Sequence, residues 1–370
     1  MKELLASQNQ NELYEKLAAL GCEKPLQIRV LVAGSHEPIA ELISGRLPFP
    51  LAVQRKADFF QASFDYEAGQ LRLNGDIFFC RARFEHISYA ISVCSRTVWE
   101  RSIMRLARVL YPALIPVYFS QGEMLDLLER AKTLFPNARL RISGHTRKKR
   151  LKSGTRRKYE SSRTKTERPL EVVFKEAQEQ NFWFQSVNFD YLGESREVEE
   201  HNNSLPSATI SKYGAFFCTS DFDRFRYSIL QEMAQIGERK VDFFSNRSRR
   251  FVERYQARPI SITFEGPVFS SGEDNKHFIG LLRKMPGASC SVLHGNPYVH
   301  LFVKDRLDDS GAELWVLKED EVLLIPQLKA SEAALKRMVN YIFEEWREGR
   351  IDNLAQNDDG LRTPVAPPRD

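Results

Sequence analysis

Three features of this 370-residue sequence predict an α+β fold of antiparallel sheets built from two diverged repeats. Two segments share a Phe-Phe-Cys core, at Phe78-Phe79-Cys80 and Phe216-Phe217-Cys218. Upstream, the run from Phe60 to Tyr66 echoes the run from Phe184 to Tyr191 with one residue inserted. In both regions the apolar period then changes from 2 to 3.6, the signature of strands giving way to a helix. Matches in the same order argue for a duplicated strand-strand-strand-helix unit.

The elements follow in order. The first 17 residues, MKELLASQNQNELYEKL, form a polar helix pattern without a signal-peptide core. Residues 27–32 are a short buried-type strand. It leads through Gly34-Ser35-His36 into an acidic helix start, without the glycines or lysine of a phosphate loop. In the first repeat, residues 53–57, 60–66 and the Phe-Phe-Cys run read as strands. Phe84, Ile87, Ile91, Cys94 and Val98 then read as a helix. A strand over 114–119, a helix over 124–134 and a strand over 138–143 connect onward. In the second repeat, residues 173–177, 184–191 and the second Phe-Phe-Cys run are the strands. The helix carries Phe222, Phe225, Ile229, Met233 and Ile236 behind capping candidates Ser220 and Asp221.

Beyond residue 259 the pattern gives strands over 260–264, 289–293, 298–305, 312–317 and 322–325, with helices over 276–285 and 331–346. The predicted organisation is an N-terminal helix and strand-helix segment (1–46), a first repeat (47–145), a basic flexible arm (146–168) and a second repeat (169–258). A related C-terminal α+β region (259–350) and a disordered tail (351–370) complete it.

Hydrophobic residues make up 42% and charged residues 28%, enough apolar material for a sizeable core, which excludes a disordered or collagen-like chain. No run approaches the ~20 apolar residues of a membrane span, so no membrane partner is expected. Five cysteines, Cys22, Cys80, Cys94, Cys218 and Cys290, lack paired metal spacing and sit among apolar residues. Reduced thiols fit a cytoplasmic location.

The net charge of +5 hides a strong asymmetry. Residues 139–168 hold 13 of the 54 Lys/Arg and two of the 49 Asp/Glu, a local charge of +11, leaving −6 for the rest of the chain. A dense run of cations suits a polyanion, because each neutralised phosphate releases condensed counterions without any reading of sequence. The residues expected to contact phosphate are Arg147, Lys148, Lys149, Arg150, Lys152, Arg156, Arg157, Lys158, Arg163 and Lys165. Tyr159 is the only aromatic in the segment. A second basic cluster contributes Arg247 and Arg250, which share one face with Arg254 if the stretch is helical.

Catalytic signatures are missing: no G-x-S-x-G, H-E-x-x-H or P-loop is present. The only cluster suggesting chemistry is His294, His300 and Asp305, where two histidines flank a tight turn. These observations predict a cytoplasmic nucleic-acid-binding subunit, DNA or RNA undetermined, working beside a protein partner in a larger assembly, with no cofactor and more in keeping with a binder than an enzyme. One rival reading is a metal-dependent nuclease or phosphoesterase using His294, His300 and Asp305 with a divalent ion. The other is a protein-interaction scaffold whose arm holds an acidic partner.

Overall fold

The computed structural model describes residues 2–22, 26–35, 39–44, 49–111, 113–136, 138–149, 162–164, 170–179, 182–193, 207–245, 259–327 and 330–351. It is a mixed α+β protein with antiparallel sheets, in two compact units, Met1–Glu238 and Arg239–Asp370. No helix among the described residues is long and apolar enough to cross a membrane.

The first unit begins with α1 (Lys2–Leu5), α2 (Gln10–Ala18), β1 (Gln27–Gly34) and α3 (Ile39–Ser44). Four strands follow: β2 (Ala52–Arg55), β3 (Phe59–Ala68), β4 (Leu71–Arg81) and β5 (Ile87–Cys94). A helix then runs through α4 (Arg96–Val98), a π-helical turn π1 (Trp99–Ile103) and α5 (Met104–Val109). Next come β6 (Ile115–Pro116), α6 (Gln121–Thr133), β7 (Ala138–Lys149), β8 (Ser162–Thr164) and α7 (Leu170–Glu179). The strands β9 (Phe182–Gly193), β10 (Ser207–Ser211) and β11 (Ala215–Cys218) lead into α8 (Phe222–Phe225), π2 (Arg226–Leu230) and α9 (Gln231–Ser245), within which the division between units falls.

These strands form one 11-stranded sheet in the order β2-β3-β4-β5-β1-β11-β10-β9-β7-β8, with β6 pairing β1. Central β1 is buried from Ile28 to Gly34 and pairs antiparallel with β5 and β11. Outward from it lie β5-β4-β3 on one side and β11-β10-β9 on the other, and each series is followed in sequence by a helix. Successive residues of a strand face opposite sides, so each side of the sheet takes its own helix. Trp99, Ile103 and Leu106 join Leu31, Phe79 and Ala215 in one core. Phe225 packs on the other side, its ring 5.3 Å from that of Phe216. Arg29, buried within β1, donates from Nε to the Cys94 carbonyl at 3.0 Å and lies 4.6 Å over the Phe217 ring. Gly214 turns the chain from β10 to β11 at φ +73°, and a Cβ there would meet the Val117 and Val32 carbonyls at 2.6 and 2.7 Å.

Several expected elements are corrected. Residues 87–94 are strand β5, not the start of a helix; the helix begins only after Ser95, whose Oγ accepts from the Val98 N–H. Strand β5 is buried on both faces, so its continuous apolar run imitates the spacing of a buried helix. Residues 173–177 belong to helix α7, not to a strand. The buried positions Leu170, Val173 and Phe174 follow i, i+3, i+4, and Val172, which suggested alternation, is exposed. Strand β7 continues six residues past the predicted end at Ser143. Helix α10 of the second unit starts at Gly272 rather than 276, because Ser271 and Asp274 close a reciprocal capping box.

The second unit comprises β12 (Ile260–Thr263), α10 (Gly272–Leu282), β13 (Ala288–His294), β14 (Val299–Asp305), β15 (Gly311–Lys318), β16 (Glu321–Pro326), α11 (Glu332–Glu345) and β17 (Arg350–Ile351). Its six strands order as β13-β14-β15-β16-β12-β17. Val299, Leu301 and Val303 of β14 and Ala312, Leu314 and Val316 of β15 are buried, whereas His300, Phe302, Glu313 and Trp315 between them are half-buried. At the far end of β14, buried Asp305 takes an ion pair and a 2.7 Å hydrogen bond from Arg337 Nε of α11, and a 2.8 Å bond from the Leu307 N–H.

All five cysteines are free; Cys80, Cys94 and Cys218 are buried and Cys22 and Cys290 half-buried. Burial pushes all five thiols above their ordinary pKa, which suppresses the thiolate.

Candidate nucleic-acid interface

The basic arm leaves and rejoins the sheet through a β-hairpin. Strand β7 pairs antiparallel with β9 along its length and with β8, where Arg147 stands in register with Ser162 and His145 with Thr164. Strand β8 is the last strand of the sheet on that side. Two register shifts interrupt the β7–β9 ladder, between Ile142 and Gly144 and between Thr146 and Arg147. Such irregularities bend a strand and increase its twist.

The base of the arm is fixed by packing on one residue. His145, the last described side chain before the arm, meets the Phe184 ring edge-on at 5.2 Å. Phe174, on the helix that follows the arm, meets the same ring at 4.9 Å. Ile142, Leu170, Val173, Phe184 and Val187 are buried around this point. Lower on the strand, Arg141 lies 3.8 Å from Asp190, its cross-strand partner.

The predicted contacts fall as follows. Arg147, Lys148 and Lys149 end β7, in register with Phe184, Trp183 and Phe182 of β9, and Arg163 is the middle residue of β8. Arg150, Lys152, Arg156, Arg157, Lys158 and Lys165 of the arm, and Arg247, Arg250 and Arg254 of the second basic cluster, lie outside the described residues. The predicted tail beyond Ile351 also lies outside them.

The histidine cluster resolves into a different arrangement from a metal site. His294 and His300 are in register across the β13–β14 hairpin. His300 Nε2 is 3.0 Å from Glu313 Oε2, and its ring stacks on Trp315 with centroids 3.6 Å apart. His294 stacks on Tyr298 at 4.1 Å, and Tyr298 lies nearly parallel to Trp315 at 6.0 Å. Asp305 is held by Arg337 elsewhere, and among the described residues these three do not converge as metal ligands. Glu313 and Trp315 carry no signal in the sequence beyond an i, i+2 placement on β15, and Tyr298 lies in the turn before β14; the cross-strand pairing of β13, β14 and β15 unites them. Another pair the sequence does not mark, His86 Nδ1 and Glu238 Oε1 at 2.9 Å, also involves the His86 backbone N–H, so Glu238 holds the turn before β5.

Searches against protein-family models and against curated proteins find no match to this chain.

Proposed function

We propose that the protein is a nucleic-acid-binding subunit that grips the phosphate backbone through the arm spanning residues 146–168, within a larger cytoplasmic assembly. The observation that carries this reading is the +11 charge of residues 139–168, set on a hairpin continuous with the sheet and fixed at its base around Phe184. Counterion release supplies affinity independent of sequence. Asp305 is engaged by Arg337, and the carboxylate beside His300 is Glu313 rather than Asp305.

We also infer that the two strand-strand-strand-helix series descend from one duplicated unit. Strands β3 and β9, which carry the Phe60–Tyr66 and Phe184–Tyr191 echoes, are both first in their series. The Phe-Phe-Cys runs occupy β4 and β11, a second and a third strand, so Cys94 rather than Cys80 corresponds to Cys218. Both Cys94 and Cys218 precede a helix containing a π turn.

The test is fluorescence anisotropy against duplex DNA, single-stranded DNA and RNA at several salt concentrations. The comparison variant replaces Lys148, Lys149, Arg150, Arg156, Arg157 and Lys158 by Ser. Six phosphate contacts on a duplex give a log K against log salt slope of roughly −5, which the variant flattens towards zero. Absence of binding at low salt, or an unchanged slope in the variant, refutes the proposal.

A further inference from the structure

Strand β13 ends the sheet of the second unit, and no strand among the described residues pairs with its outer side. We propose that this edge is an interface through which two copies of the chain pair antiparallel, about a two-fold axis at Cys290, into one continuous sheet.

The edge is open. The Arg306 N–H donates to the Gly287 carbonyl at 2.8 Å, and the Asp305 N–H donates to the Ser310 carbonyl at 2.7 Å on the far side of β14. Backbone groups alternate in direction along an antiparallel strand. Ser289 and Ser291 therefore bond towards β14, while Ala288, Cys290 and Val292 turn their backbone groups outward. The Ala288 N–H donates to the Met285 carbonyl at 3.2 Å, but no described backbone group meets the outward groups of Cys290 and Val292. An exposed edge recruits further strands unless it is short or charged. The other strands that end the two sheets are blunted in this way: β2 has four residues and carries Arg55, β8 has three and carries Arg163, and β17 has two and carries Arg350. Strand β13 has seven residues and no Lys, Arg, Asp or Glu.

Symmetry identifies a second copy as the occupant. An uncharged strand meets itself without like-charge repulsion across the pair. The register shift between Val292 and His294 leaves 288–292 as the regular run, and Cys290 is its middle residue. With Cys290 opposite Cys290 of the second copy, Val292 lies opposite Ala288 and Leu293 opposite Gly287. Leu293 is 56% exposed. Leu307, equally exposed, lies beside Gly287, where a Cβ would be 3.6 Å from Leu307 Cγ. The two-fold thus brings the exposed leucine at each end of the edge against the leucine at the opposite end of the other copy. The pairing adds about four backbone hydrogen bonds, between the two Cys290 residues and from each Val292 N–H to an Ala288 carbonyl. So small an interface belongs to the weak class, with an expected Kd of about 10 µM.

The test is sedimentation equilibrium of the full chain from about 1 to 100 µM, at high salt after nuclease digestion so that nucleic acid cannot bridge copies. The mass is expected to rise from 42.8 kDa towards twice that value. Ser289 and Ser291 lie on the other face of the strand from Cys290 and stand opposite each other across the two-fold. The double variant Ser289→Lys with Ser291→Lys, its thermal midpoint measured as a folding control, is expected to weaken the dimer at least about tenfold. Cys290 needs no substitution to report the axis, since paired residues stand about 5.5 Å apart at Cα, within disulfide range. An added oxidant is expected to cross-link the intact chain through Cys290, and Cys290→Ser is expected to abolish that cross-link. A chain that stays monomeric at about 100 µM overturns the proposal and leaves the edge to a strand of a different protein. A dimer unchanged in the double-lysine variant, or a cross-link of equal yield in Cys290→Ser, overturns it as well.

Discussion

The Asp305–Arg337 pair offers a demanding test of the second unit's energetics. Asp305 is fully buried and receives Arg337 Nε at 2.7 Å, while Arg337 Nη1 and Nη2 donate to the Pro286 and Gly287 carbonyls at 2.5 and 3.3 Å. Arg337→Met keeps much of the aliphatic stem but removes all three interactions. It leaves a buried carboxylate with one remaining donor, the Leu307 N–H, and two carbonyls without their guanidinium partner. Stripping one partner from a buried pair costs about 3–5 kcal/mol. The guanidinium side chain is 20% exposed, so water can partly replace it, and about 3 kcal/mol is the expected loss. With a urea m-value of about 1.5–2 kcal/mol per molar, that corresponds to a midpoint shift of about 2 M for the transition that includes this unit. Urea titration followed by tryptophan fluorescence reads the shift. The double variant Asp305→Asn with Arg337→Met is expected to recover at least half of the loss, because the stranded charge is gone. A single variant costing less than about 1 kcal/mol, or a double variant costing as much as the single one, would contradict a buried and mutually dependent pair.

Gly214→Ala is expected to cost the first unit about 2–4 kcal/mol, because it adds left-handed strain at φ +73° to a clash with two backbone carbonyls; a thermal midpoint within experimental error of the parent would refute this. A thiol-reactive aromatic disulfide is expected to modify half-buried Cys22 and Cys290 in the folded protein, and buried Cys80, Cys94 and Cys218 only after unfolding; mass spectrometry of the labelled peptides distinguishes the two sets. Because burial raises the folded thiol pKa values, the unfolded chain loses these protons first, so stability is intact below about pH 8.5 and declines as pH rises above it. Urea midpoints at about pH 7.5 and pH 9.5 check the sign, and a midpoint that rises with pH contradicts it.

Elements whose pattern is local are legible in the amino-acid sequence alone. The helix carrying Phe222, Phe225, Ile229 and Met233 has one buried stripe against a solvated face, and strands β14, β15 and β16 alternate buried with more exposed positions around short turns. The concentration of cations over 139–168 is equally a property of composition, so the candidate arm is visible in the sequence. Strand β5 is not legible, because a strand covered on both faces shows no contrast between them. Helix α7 is not, because Leu170, Val172 and Phe174 fit a period of 2 as well as Leu170, Val173 and Phe174 fit 3.6. The placement of β1 between β5 and β11, the convergence of His145 and Phe174 on Phe184, and the alignment of His294, Tyr298, Trp315 and His300 depend on long-range pairing. Asp305 and Arg337, 32 residues apart, meet for the same reason. Periodicity along a chain reports which face of an element is buried, but the identity of the neighbour across that face is set by register and packing between distant segments.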